Sequence, residues 1–314
     1  MLWDGARQLR RSGILLPGSG HREHLWAALD LQGRRLDRRD PRASGAWKRL
    51  VSEAQRHDDT VLLTHEFFCT ASKKQAQRAV STFPDAEVHL VVTARDAGSM
   101  LLSGWQEAVK NGSSVTLDEL LGGARGGGVE FSWRAWGLRQ VLGRWAGSLR
   151  PEHVHVLPVP DRSQGPRRHW ENFAQVLDVD AAAFTPPERP VNATLGAVQT
   201  ELLRRLNTGI EGFSSPVDRG VWIRGYLAEQ KLAGQSGERV ALTDEQFDAC
   251  ARRSLRAIDH ISSRGYTVVG DLDGLRPRPE TRSGRRLDTV TEDELMRAAG
   301  GLVGMMLTDI RNRV

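Results

Sequence analysis

The sequence predicts an α/β fold, with a parallel sheet in the first part of the chain and a helical C-terminal region. Two apolar, β-branched runs, at 60–65 and 87–93, are typical of buried parallel strands. Each run precedes a stretch with helical spacing, at about 72–82 and 97–110. Because strand–helix alternation builds parallel sheets through right-handed crossovers, we expect the two strands to be neighbours whose ends open into one cleft.

The other elements follow from the same helical and strand periodicities. Before residue 60 the pattern predicts helices at 2–11, 22–29 and 46–56, with a short extended run at 14–16. Between residues 110 and 194 it predicts a long amphipathic helix at 131–149, a strand at 153–159 and a helix at 167–177. Beyond residue 194 every candidate is helical, at 197–206, 220–232, 243–262 and 292–313.

Domain organisation is predicted from this change of pattern. We place an α/β domain at 1–209 and a helical region at 210–314. The basic, proline-bearing stretch 276–286 is typical of a flexible linker within the helical region. The glycine-dense stretch 121–128 is predicted to be a surface loop.

Composition and charge indicate which kinds of ligand and partner the chain can have. The net charge of +5 suits an anionic ligand, and no basic helix or aromatic platform indicates nucleic acid. The longest apolar stretch, 298–307, is about half the roughly 20 residues that a bilayer requires, and the N-terminus lacks a signal peptide's apolar core. Cys69 and Cys250 are far apart with no CxxC motif, so neither a disulfide framework nor a zinc site is expected, and no metal ligands are predicted. We therefore expect a cytoplasmic protein that does not bind membranes.

Arg95 and Ser103 form the first candidate binding motif. Arg95 comes directly after the second predicted strand, and Ser103 lies eight residues later on the following helix. Anionic ligands bind at the carboxyl edge of open α/β sheets, where helix N-termini and backbone N–H groups point. A guanidinium and a hydroxyl at this spacing can share one phosphate, but an arginine at a strand end is often simply solvated.

This motif resembles the 3′-phosphate-binding motif of sulfotransferases that use 3′-phosphoadenosine 5′-phosphosulfate (PAPS), in which an arginine closes a strand and a serine follows eight positions on. Over most of its length the chain is similar to the sulfotransferase-like proteins of actinobacteria. The matching segments are 64–66 (THE), 93–96 (TARD), 104–107 (GWQE) and 191–196 (VNATLG).

The resemblance implies a P-loop-like sulfotransferase fold with PAPS as the sulfuryl donor. The acceptor would be a hydroxyl or an amine of an unidentified small molecule or carbohydrate. Arg95 and Ser103 would then bind the 3′-phosphate, and Asn192 and Thr194 in the late segment would lie near the nucleotide. The alternative for Thr194 is the cap of the helix that follows.

His65 and Glu66 are the candidates for the catalytic base, because the family carries its base at the end of this strand. A histidine accepts a proton near neutral pH, and cytosolic family members resemble this chain in their Thr-His pair. Carbohydrate-type members more often use a carboxylate, which Glu66 would supply. The alternative for His65 is a hydrogen bond to the backbone with no catalytic role.

The chain departs from the family pattern in two places. Cytosolic members have a lysine two positions before the histidine, where this chain has Leu63. The family's Lys-Ser/Thr-Gly-Thr loop, which cradles the 5′-phosphosulfate, appears nowhere, and residues 1–11 resemble the helix that follows it. The resemblance therefore implies a fold incomplete at its N-terminus, through a misplaced start or a truncation, and an inactive chain.

Two other classes of function remain open. A non-catalytic relative that binds the nucleotide or a protein partner is favoured by the missing loop and by Leu63. A nucleoside-triphosphate-dependent kinase is disfavoured, because neither a Walker-type loop nor the kinase signature set is present.

Overall fold

The computed structural model describes residues 2–34, 40–127, 130–161, 164–184, 194–213 and 215–312. It divides the chain into two compact units. Unit 1 consists of Met1–Arg95, Gly137–Arg189 and Ala257–Leu275, and unit 2 of Asp96–Trp136, Pro190–Arg256 and Arg276–Val314. Among the described residues, no helix is both long and apolar enough to cross a bilayer.

Unit 1 contains two parallel sheets. In the first, β1 (Ile14–Leu15) pairs with β2 (Thr60–Val61). In the second, β4 (Val154–Pro158) lies between β3 (Leu90–Ala94) and β6 (Thr267–Val268). All neighbouring strands are parallel, so the α/β class and the parallel sheet are confirmed.

The prediction that the strands at 60–65 and 87–93 are neighbours is wrong in this structure. β2 pairs with β1, β3 pairs with β4, and no ladder among the described residues joins β2 to β3. The first run forms a ladder over only two residues, followed by a last bond from Leu62 N to Leu15 O at 2.9 Å. Chain order alone therefore did not determine which strand β2 and β3 each pair with.

Helices cover both sheets of unit 1. They are α1 (Ala6–Arg11), α2 (His21–Leu31), α3 (Ala46–Ala54), α4 (Lys73–Ser81), α8 (Leu138–Trp145) and α9 (Gly165–Val176). The core around β4 joins Val154 and Val156 to Leu142 and Ile261. Ser72 caps α4 through a reciprocal capping box with Gln75, as expected for a predicted start at residue 72.

Unit 2 is mainly helical and buries its own core. Its helices are α5 (Ala97–Lys110), α6 (Leu117–Leu121), α7 (Trp133–Trp136), α10 (Ala197–Leu206), α11 (Pro216–Asp218), a π-helix (Arg219–Leu232) and α13 (Glu292–Arg311). Two short parallel strands, β5 (Val240–Ala241) and β7 (Arg285–Arg286), pair with each other. Trp105 and Leu101 of α5 are completely buried in this core.

The predicted long helix at 131–149 is wrong, because it is interrupted at Gly137. Gly137 adopts an extended conformation (φ −61°, ψ 112°) between α7 and α8. The ring of Trp136 packs directly over Gly104, where a Cβ atom would lie 2.5 Å from the indole. The helical spacing of the neighbouring side chains does not reveal this break in the backbone.

The end of the chain also differs from a purely helical region. The helix α12 (Asp244–Arg264) contains the boundary between the two units, and β6 beyond it joins the sheet of β3 and β4. The stretch 276–286, predicted to be a linker, forms a 3-10 helix (Pro279–Arg282) and β7, with Thr281 buried. The compact units therefore divide at Arg95, Trp136, Arg189, Arg256 and Leu275 rather than near residue 209.

Candidate functional site

The carboxyl edge of the three-stranded sheet carries Arg95. β3 ends at Ala94, which lies opposite Pro158 at the end of β4, and Val159 N donates to Ala94 O at 2.7 Å. Arg95 follows at once and is half-buried. The predicted position of Arg95 at the end of a parallel strand is confirmed, whereas its contact with a phosphate stays a prediction.

The loop after β6 lies at the same edge. Val269 N donates to Val156 O at 3.0 Å, and Gly270 then turns the chain with φ +104°. A Cβ atom on Gly270 would lie 2.6 Å from the amide of Asn172, a buried residue of α9. A left-handed conformation and a close neighbour both require glycine here. The carboxyl edge is therefore built from tightly constrained backbone.

His65 follows the extended stretch after β2. Its Nδ1 atom accepts a hydrogen bond from Phe67 N at 3.1 Å and so caps the 3-10 helix Glu66–Thr70. Desolvation is the main cause that lowers the pKa of His65, and the neighbouring Glu66 only partly opposes it. Burial therefore favours the neutral form of the His65 imidazole. A neutral imidazole that accepts at Nδ1 carries its proton on Nε2.

Glu66 lies beside His65 but faces solvent. Its Oε2 atom is 3.6 Å from His65 Nδ1, and its side chain is 80% exposed against 11% for His65. An exposed carboxylate can accept a proton without any rearrangement of its neighbours. The two candidate bases therefore meet in the structure, but only the imidazole is held in place by a backbone hydrogen bond.

His24 fixes the chain at the ends of β1 and β2. Thr64 N donates to His24 Nδ1 at 3.0 Å, and His24 Nε2 lies 2.8 Å from Pro17 O. The imidazole is completely buried, and desolvation lowers its pKa. Its contacts give His24 a structural role, because it joins two loops that leave neighbouring strands.

The other predicted site residues lie in the chain segments of unit 2. Ser103, on α5, donates its hydroxyl to Ser99 O at 2.8 Å. Thr194 is exposed, and it does not cap α10, whose N-cap residue is Gly196. Asn192 lies outside the described residues. A role for any of the three in nucleotide binding stays a prediction.

A second cluster of chemically active side chains was missed in the sequence. Glu87 and His89 precede β3, while His153 and His155 lie at the start of β4. His89 stacks on His153 with ring centroids 4.4 Å apart and on His155 at 5.1 Å. Alternate positions of a strand face the same side. The signal was therefore the two-residue spacing in Glu-Val-His and His-Val-His, which becomes a cluster only once the strands are paired.

Comparisons with known proteins do not add a relative from which a function could be transferred. Matches were sought among protein-family models, curated proteins and solved structures. None of the three comparisons finds a match to this chain.

Proposed function

We propose that this chain binds a 3′-phosphoadenosine nucleotide at the carboxyl edge of its parallel sheet. We further propose that it acts as a sulfotransferase with PAPS as sulfuryl donor when another group performs the role of the Lys-Ser/Thr-Gly-Thr loop, which the sequence lacks. The observation that carries the proposal is the position of Arg95, half-buried and directly after β3. Ligands of open α/β sheets bind outside the carboxyl ends of the strands. A planar guanidinium there can donate two hydrogen bonds to a phosphate, and its charge is permanent at physiological pH.

The chemistry requires a base as well as a nucleotide site. Sulfuryl transfer breaks the bond between sulfur and the oxygen of the 5′-phosphate and forms a bond from sulfur to the acceptor oxygen or nitrogen. The acceptor's proton then passes to a base. We assign this role to Glu66, because its carboxylate is exposed, whereas His65 Nδ1 already accepts from Phe67 N and its Nε2 is protonated.

A second candidate is a relative that binds the nucleotide without transferring sulfate. Two observations favour it. The imidazole of His65 is used as a helix cap. Leu63, which takes the position of the family's lysine, is half-buried and packs against the cluster of Trp26 and Leu50. An apolar side chain used for packing cannot neutralise a leaving phosphate.

Calorimetric titration with 3′-phosphoadenosine 5′-phosphate tests the binding step. Arg95→Ala should weaken binding by about 1.5–3 kcal/mol, or roughly 10- to 150-fold, because it removes a charge-assisted hydrogen bond. Adenosine 5′-monophosphate, which lacks the 3′-phosphate, should bind wild type and variant equally. ATP is titrated in parallel, because a kinase would bind ATP more tightly than 3′-phosphoadenosine 5′-phosphate.

Arg167→Ala is the matched control, because Arg167 is an exposed arginine of unit 1 paired with Glu171. Its affinity for the nucleotide should equal that of the wild type. Equal affinity of wild type and Arg95→Ala for 3′-phosphoadenosine 5′-phosphate would contradict the assignment of Arg95. Ser103→Ala and Thr194→Ala show whether those side chains also contribute.

Turnover separates the enzyme from the binding protein. Release of 3′-phosphoadenosine 5′-phosphate from PAPS is followed with a panel of hydroxyl and amine acceptors. For an enzyme, Glu66→Ala should lower turnover roughly a hundredfold, as loss of a general base does. Nucleotide binding without turnover for any acceptor would support the binding protein instead.

A further inference from the structure

We propose that Glu87, His89 and His153 bind a divalent transition-metal ion, preferably Zn²⁺, at the amino edge of the β3–β4–β6 sheet. One ligand atom from each of these side chains lies within 4.8 Å of the other two. Two imidazoles and one carboxylate suit Zn²⁺, which takes nitrogen and oxygen ligands in a tetrahedral arrangement. The site does not depend on the proposed function, since it lies at the opposite edge of the sheet from Arg95.

The distances between ligand atoms are close to those around a bound ion. Metal–ligand bonds of about 2.1 Å at tetrahedral angles place neighbouring ligand atoms about 3.4 Å apart. Glu87 Oε1 is 3.6 Å from His153 Nε2 and 2.7 Å from His89 Nε2. The distance between Glu87 and His89 must open, and the side chain of Glu87 is 63% exposed and can change its rotamer. All three ligand atoms lie within 4.8 Å of one another, so side-chain adjustments can place them around one ion.

His155 holds His89 in the orientation that a metal ligand needs. Its Nε2 atom is 2.8 Å from His89 Nδ1, so the two imidazoles share a hydrogen bond. In the structure His89 Nε2 donates to Glu87 Oε1 at 2.7 Å, because a carboxylate only accepts, so a neutral His89 accepts at Nδ1 from His155. An ion that replaces the Nε2 proton selects the other tautomer, in which His89 Nδ1–H donates to His155 and the Nε2 lone pair faces the ion. Metal-bound histidines almost always donate their other ring nitrogen to such a partner, which fixes tautomer and ring orientation.

Arg150 determines the tautomer of His153 and competes for its lone pair. Arg150 Nη2 is 2.7 Å from His153 Nε2, and a guanidinium can only donate. Nε2 of His153 is therefore an acceptor with a lone pair directed outward, as a metal ligand requires. The guanidinium is 65% exposed, so it can leave the site when an ion binds. Its positive charge opposes a cation, which predicts a gain in affinity when Arg150 is removed.

Calorimetric titration of the full chain with Zn²⁺ tests the proposal. Wild type should bind one ion, and excess Zn²⁺ should raise the unfolding temperature by mass action, reversibly with a chelator. His155→Ala should weaken binding about 10- to 100-fold, the usual cost of losing a partner of a metal ligand. His89→Ala, His153→Ala and Glu87→Gln should each weaken it further, and Arg150→Ala should strengthen it.

His21→Ala is the control for adventitious binding by surface histidines, because His21 is exposed and remote in sequence from the cluster. It should leave Zn²⁺ affinity and the thermal shift unchanged. Co²⁺ in place of Zn²⁺ should give the visible bands of a four-coordinate ion, and these should vanish in His89→Ala. No saturable binding, or binding that survives the double substitution of His89 and His153 by alanine, would overturn the proposal.

Discussion

The two compact units differ in the kind of charge they carry. All nine histidines of the chain fall within the residue ranges of unit 1, and unit 2 contains none. Unit 2 instead joins arginine and lysine to carboxylates, as in the contacts of Glu201 with Arg204 and Arg205, and in the pair of Lys110 with Glu107. Groups that exchange protons near neutral pH are therefore confined to one part of the chain.

Unit 1 therefore contains the groups that can exchange protons, whereas the ion pairs of unit 2 do not change at physiological pH. Histidine changes its charge between about pH 5 and pH 8, so its contacts depend on pH and on ligands. Arginine stays charged at all physiological pH values, so its ion pairs persist. Both edges of the β3–β4–β6 sheet, with Arg95 at one and the histidine cluster at the other, belong to unit 1.

The largest expected effect concerns the buried ion pair of unit 2. The carboxylate of Asp96 is completely buried, accepts from Ser99 N at 2.9 Å and lies 3.3 Å from Arg278 Nε. Asp96→Ala should lower the free energy of unfolding by about 3–5 kcal/mol, because it removes a completely buried carboxylate that pairs with a largely buried guanidinium and caps α5. Urea denaturation measures the loss, and amide hydrogen exchange should assign it to unit 2.

Asp288→Ala is the matched control, because it breaks the exposed pair of Asp288 with Arg286 in the same unit. Exposed pairs contribute about 0–1 kcal/mol, so this variant should be nearly as stable as the wild type. Similar losses in the two variants would mean that burial does not distinguish the pairs, and would contradict the expected contribution of the buried pair to the stability of unit 2.

An intermediate effect is expected from pH. Desolvation is the main cause that lowers the pKa values of His24, His65, His169 and His260, all in unit 1. Each folded pKa lies below the unfolded value of about 6.5, so the unfolded state takes up protons first as the pH falls. The stability of unit 1 is complete above about pH 6.5 and decreases as the pH falls toward each folded pKa.

Unit 2 should lose stability only at lower pH. Hydrogen bonds from the backbone of Thr116 and Thr291 are the main causes that hold the pKa values of Glu119 and Glu294 below the usual range. Amide exchange, corrected for its intrinsic pH dependence, should show unit 1 weakening as the pH falls from about 6.5 to about 5.5 while unit 2 does not. His24→Ala should reduce this pH dependence, with His21→Ala as control. Equal weakening of both units would contradict the comparison.

The smallest expected effect compares one helix cap from each unit. Ser72 and Gln75 form the capping box of α4 in unit 1, and Thr116 and Glu119 form that of α6 in unit 2. Ser72→Ala and Thr116→Ala should each cost about 1 kcal/mol in urea denaturation. Glu119→Gln should lower the free energy of unfolding a little further, because it removes a negative charge at a helix N-terminus. Gln75→Glu should raise it, because it adds such a charge. A larger effect of salt on Ser72→Ala than on Thr116→Ala would run against this expectation.

Local signals predicted much of the fold because they act within one element. The helix at 97–110 is present with the predicted bounds, and Asp96 caps it by accepting from Ser99 N. The strand at 153–159 appears as β4, since its central residues are buried on both faces. Capping and periodicity are properties of neighbouring residues, so the sequence alone was sufficient for these elements.

The pairing of strands and the direction of side chains could not be predicted from neighbouring residues alone. The break between α7 and α8 lies in the extended backbone of Gly137, which the helical spacing of its neighbours does not reveal. The prediction that β2 lies beside β3 is wrong, because β2 pairs with β1 and β3 pairs with β4. The residue type made His65 a candidate base, but its hydrogen bond to Phe67 N depends on the turn that follows and could not be predicted.

The two cysteines place one thiol in each unit, and neither forms a disulfide. Cys69 of unit 1 is half-buried, while burial raises the pKa of Cys250 in unit 2 to about 12. A thiol reagent attacks the thiolate, so Cys250 can react only when its surroundings open. Alkylation followed by mass spectrometry would therefore time the opening of unit 2 without any added label, with Cys69 as the internal reference for reagent access.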